Sequence, residues 1–107
     1  MAKLATASET GHIQIIGRYS DVARDASFIP TTVITSKDIG PGPKLVYSWL
    51  LKFAATNEPP TNDRLAADLG ISPRSVRNYI AALKATGLVE VHVRSGNQRS
   101  FKLATAL

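Results

Sequence analysis

The 107-residue sequence predicts a mainly α fold closed by a β-hairpin, an α+β arrangement of three helices and a two- or three-stranded sheet. Three observations predict it. Apolar residues recur at helical spacing over 44–56, 62–69 and 73–86. Capping and breaking residues bound those stretches: Pro43, Thr61 and Ser72-Pro73 at the starts, Gly70 and Gly87 as stops. Past Gly87 the period changes to two, in LVEVHVR (88–94) and RSFKLATAL (99–107), with the turn residues SGNQ (95–98) between them.

Taken in order, residues 1–11 are small and polar and are expected to be disordered. HIQIIGRY (12–19) partly alternates, which allows a short strand. DVARDAS (21–27) reads as one helical turn or a loop. FIPTTVITS (28–36) is β-branched and is expected to be extended, with Pro30 barring it from a central strand and biasing Ile29 away from helix. Residues 1–27 are thus an extension and 28–107 the domain proper.

IGPGPK breaks the chain before the first long helix, and Pro43 suits a first helical position. At about 100° per residue, Leu45, Val46, Trp49, Leu50 and Phe53 fill one arc of about 140°. Tyr47 and Leu51 widen it to about 240°, leaving Lys44, Ser48, Lys52 and Ala55 for water. A helix this apolar needs cover on more than one side. In the second helix Leu65, Ala66 and Leu69 face inward, with Thr61 as cap and Asp63 favourably charged in the first turn. Gly70 permits a left-handed stop and Ile71 plugs the turn. The third helix buries Val76, Ile80 and Leu83, with Tyr79 on the edge. In the hairpin, Val89, Val91 and Val93 should face the core, as should Phe101 and Leu103.

Ala66, Gly70 and Val76 have the helix-turn-helix spacing: a small residue where two helices cross, a sharp turn, and an apolar plug in the angle. With the hairpin this is a winged helix-turn-helix. The stretch PTNDRLAADLGISPRSVRNYIAALKATGLVEV (60–91) resembles the winged helix-turn-helix proteins of bacteria, phages and plasmids. FIPTTVITSKDIGPGPKLVYSWLLKFA (28–54) is similar to the lead-in of the helix-turn-helix module in phage and plasmid replication-initiation proteins. The resemblance covers about residues 28–103 and implies duplex-DNA binding. This chain shows no long C-terminal extension that would recruit an initiator's partners, so a small regulator or accessory protein is expected.

Charge points the same way. Residues 1–69 hold seven basic and seven acidic groups, whereas residues 70–107 hold six basic groups and one acid. The whole formal charge of +5 therefore lies in the last third of the chain, the footprint of a polyanion binder. With Val76 at 0°, Arg77 falls at about 100°, Ala81 at about 140°, Arg74 at about 160°, Asn78 at about 200° and Ser75 at about 260°. Guanidinium forks and an amide read guanine and adenine edges in the major groove. Ser72 and the free N–H groups at that helix start suit a phosphate. The wing presents Arg94, Asn97, Gln98 and Arg99 around Gly96, for the backbone or the minor groove. Lys84 and Lys102 are expected to be phosphate contacts at most.

Other chemistries find little support. There is no cysteine, which excludes disulfides and thiolate metal sites and fits a reducing cytoplasm. His12 and His92 are far apart, with no carboxylate in a metal-binding motif near either. Asp21 and Asp25 sit beside Arg24, outside any pocket signature. No phosphate-loop or nucleophile-turn motif occurs, so no enzyme, cofactor, metal or small-molecule ligand is expected. No apolar run is long enough to span a membrane. The competing function is a protein-docking winged helix in a replication or partition complex, for which the segregated charge has no use. One recognition helix reads few base pairs, so a homodimer is expected. Residues 12–36 and the side of the first helix around Tyr47 and Leu51 are its expected interface. The alternative is that the N-terminal segment covers Tyr47 and Leu51 within one chain.

Overall fold

The computed structural model describes residues 13–14, 16–18, 20, 25–54, 56, 58–93 and 99–106. Among the described residues four helices and a hairpin follow one another: α1 (Thr31–Ile34), α2 (Pro41–Phe53), α3 (Asn62–Leu69), α4 (Pro73–Ala85), β1 (Val89–Val93) and β2 (Arg99–Leu103). α4 lies at the centre, packed on α2, α3 and β1, while α2 also meets α3. This is the winged helix-turn-helix arrangement expected, with a two-stranded antiparallel sheet in which Val89 pairs with Leu103 and Val93 with Arg99.

Local chemistry explains the boundaries. The Thr61 hydroxyl accepts the Arg64 N–H at 3.1 Å and caps α3. The Ser72 hydroxyl accepts the Ser75 N–H at 3.0 Å and caps α4, with Pro73 next. Between them Gly70 takes φ 68°, a left-handed stop that a side chain would strain, and the Ile71 N–H returns to the Ala66 carbonyl. α2 begins at Pro41, two residues before the expected start, because Gly40 takes the extended cap conformation and proline needs no N–H donor in the first turn.

The core gathers Val46, Tyr47 and Leu50 of α2, Leu65 and Ala66 of α3, Val76, Ile80 and Leu83 of α4, and Leu88 and Val89 of the hairpin. Val33 and Ile39 complete it from the lead-in. That lead-in corrects one expectation. Residues 31–34 are a helical turn rather than extended chain: the Pro30 carbonyl accepts the N–H groups of Val33 and Ile34, and the Thr35 hydroxyl bonds back to Thr31 at 2.6 Å. Local hydrogen bonds and burial of Val33 outweigh the β preference of branched residues.

α2 carries the second correction. Its buried face is centred on Pro43, Val46, Tyr47 and Leu50, while Leu45 is 44% exposed. Ser48, expected in water, is buried, and its hydroxyl satisfies itself on the Leu45 carbonyl at 2.7 Å. Tyr47 is completely covered, and its hydroxyl donates to the Ala104 carbonyl at 2.6 Å. The C-terminal end of the hairpin therefore meets this side of α2, which shares one core with Val33 of the lead-in. Tyr47 itself leaves no surface for a partner, while Leu51 is half-buried.

In the hairpin, Val89 is buried and Val91 half-buried, but Val93 is 77% exposed, because the sheet runs out past the helices. No described residue of 12–19 is in a strand, and Ile13 and Ile16 are exposed. The disordered tail expected over 1–11, His12, Asp21 and the wing turn at 95–98 lie outside the described residues.

Candidate nucleic-acid interface

The outward side of α4 follows from its inward side. Burying Val76, Ile80 and Leu83 turns Arg74, Arg77, Asn78, Ala81 and Lys84 to the surface, where all five are exposed. Among the described residues, Arg74, Arg77 and Asn78 have no hydrogen-bond or ion-pair partner within the chain. Their polar ends are free for an external ligand, and Ala81 leaves room for close approach. Ser75 is half-buried and takes part in the helix start: the Ser72 hydroxyl donates to the Ser75 hydroxyl at 3.0 Å while accepting the Ser75 N–H. Ser72 is thus committed to the cap, and only further lone pairs or backbone N–H groups remain for a phosphate.

The structure sets Arg99 apart from the other expected wing residues. Its Nη2 donates to the Pro60 carbonyl at 3.1 Å and to Asn62 Oδ1 at 2.6 Å, across from the hairpin to the start of α3. The guanidinium also lies 4.8 Å from the Phe101 ring centre. Burial pulls its pKa below the usual guanidinium value. Arg99 is not the free cation that its place in the turn suggested. Lys102 is exposed on the hairpin. Arg94, Asn97 and Gln98 lie outside the described residues.

α3 is held to α2 by a polar and aromatic cluster. The Asp68 carboxylate accepts Trp49 Nε1 at 2.9 Å and Arg64 Nε at 2.7 Å. The indole hydrogen bond, then that of Arg64, holds the Asp68 pKa below the ordinary carboxylate value. Trp49 meets Phe53 edge to face at 6.0 Å, and Arg64 lies over Phe53. Sequence reading missed this cluster, since its members are apart in sequence.

Residues 37–89 match a family model described as a helix-turn-helix domain. This stretch is similar to that family, and its fold is that of a helix-turn-helix. It spans α2, α3 and α4 and ends at the first residue of β1. The hairpin lies beyond the match, so its standing as a wing rests on geometry. No curated protein and no solved structure matches the chain. Among the described residues, no group of His, Cys, Asp or Glu is arranged to hold a metal ion, and no helix is long and apolar enough to cross a membrane. In helix-turn-helix proteins that bind DNA the second helix of the motif lies in the major groove, and α4 holds that position in the motif here.

Proposed function

We propose that this chain is a small winged helix-turn-helix regulator or accessory protein of a bacterial, phage or plasmid system that binds duplex DNA sequence-specifically in the cytoplasm and performs no catalysis. The single observation that carries this reading is the exposed, unpartnered face of Arg74, Arg77 and Asn78 on α4. In this reading α4 lies in the major groove, with Arg74, Arg77 and Asn78 on base edges and Ser75 beside them. Ser72 and Lys84 lie at the phosphates, and the hairpin end with Arg94, Asn97 and Gln98 meets the backbone or minor groove. Two copies on a repeated site supply the length that one helix cannot read.

Selection of bound fragments from a random duplex pool tests the reading and yields the site. Against that site, Arg74→Ala or Arg77→Ala should cost about 1–3 kcal/mol and relax one base position, with the fold intact. Equal losses on selected and scrambled duplexes would make these arginines phosphate contacts. A second reading, a protein-docking module, is favoured by the groove of about 480 Å³ between the end of α2 and β2, lined by residues that include Leu50, Leu51, Phe53, Pro60, Phe101 and Leu103. A chain that enriches no duplex would favour it.

A further inference from the structure

We infer that Arg99 is a positioning residue, not a DNA contact: it fixes the direction in which the hairpin leaves the helical body, and so sets where the wing meets DNA relative to α4. The inference rests on the DNA-binding reading above and deepens it.

β2 is tied to the body at both ends. At its C-terminal end the Tyr47 hydroxyl holds the Ala104 carbonyl, and the Ala104 N–H bonds to the Leu88 carbonyl at 2.8 Å. At its N-terminal end Arg99 reaches Pro60 and Asn62. The two ties, at Arg99 and Ala104, are five steps apart, about 17 Å of strand. One tie would leave the hairpin free to pivot about it, whereas two ties this far apart fix its direction. The far partners are themselves rigid. Asn62 is the first residue of α3, held by the Thr61 cap, and α3 packs against α4. A short path of fixed geometry thus runs from the wing through Arg99 and Asn62 to the recognition helix.

The chemistry requires arginine. One Nη2 supplies two donors to two acceptors, while the guanidinium carbon lies over the Phe101 ring, 4.8 Å from its centre. A lysine ammonium keeps the charge and loses the fixed fork. The same engagement turns the cation away from an external phosphate, so its charge is spent inside the chain.

The test measures binding of a labelled mixed-sequence duplex by the full chain, alongside thermal unfolding. Arg99→Lys keeps the charge, and Asn62→Ala removes the partner without touching the cation. Each should weaken binding about tenfold, equal to 1.4 kcal/mol. The double variant should bind no worse than either single one, since both break the same tie. Two results overturn the inference. Arg99→Lys binding like the parent, with Arg99→Gln lowering the salt slope by about one, would make Arg99 a phosphate contact. Variants that unfold at lower temperature yet bind unchanged at a temperature where they are folded would make the tie purely structural. A parent chain that binds no duplex overturns the DNA-binding reading, and this one with it.

Discussion

Gly42 and Tyr79 meet where α2 begins beside α4. A Cβ at Gly42 would stand 2.6 Å from Cε2 and 2.7 Å from Cε1 of Tyr79, well inside contact distance. The glycine is there for close approach of a ring, not for an unusual backbone angle. Gly42→Ala should therefore destabilise the chain by about 1–3 kcal/mol in urea unfolding, as the half-buried ring is forced aside. In a Tyr79→Ala background the same change should be neutral or stabilising, because alanine exceeds glycine by about 1 kcal/mol within a helix. A cost that persists without the ring would refute the contact. The GPG breaker was legible in the sequence, but the partner of its glycine was not, since 37 residues separate the two. Arg99 teaches the same point: a cation beside a turn looks free until the fold brings Pro60 and Asn62 to it.

Among the elements, α3 and α4 were the most legible, because caps and stops act over three or four residues. Thr61, Gly70 and Ser72 do in the structure what their types and positions implied. α1 was misread, because four residues carry too little periodicity to outvote β-branched composition. The attachment of α3 to α2 depends on Asp68, and this has a pH signature. The Asp68 pKa is depressed in the folded chain by Trp49 and then Arg64, so its contribution is present above about 3.9, the unfolded value, and is lost as pH falls through the lower folded value. Trp49 is the sole tryptophan and reports on it directly. Its fluorescence should hold through pH 3.9 and change only at lower pH, and Asp68→Asn should remove that step. The effect on stability is small, because the carboxylate is solvent-screened. A transition centred at or above the ordinary value would show that the indole bond does not persist in solution.

For the molecule as a whole, the separation of charge matters more than its total. Of the six basic groups in residues 70–107, Arg74, Arg77, Lys84 and Lys102 are exposed, Arg99 is tied to α3, and Arg94 lies outside the described residues. Duplex affinity should accordingly fall with salt with a log–log slope no steeper than about −4.5 per bound chain, near −0.9 for each of at most five contacts. A steeper slope would bring in cations from the first 69 residues. The sequence by itself determined the helix-turn-helix: its caps, its left-handed glycine, the Val76–Ile80–Leu83 stripe and therefore the opposite face of Arg74, Arg77 and Asn78. Those are consequences of a 3.6-residue period and of hydrogen bonds closed within one turn. Only the tertiary structure decided which side of α2 is buried, what covers Tyr47, and which arginine of the wing is spoken for. The last two depend on the hairpin returning across 37 to 57 residues of chain, and periodicity says which face of an element is apolar, never which distant segment arrives to cover it.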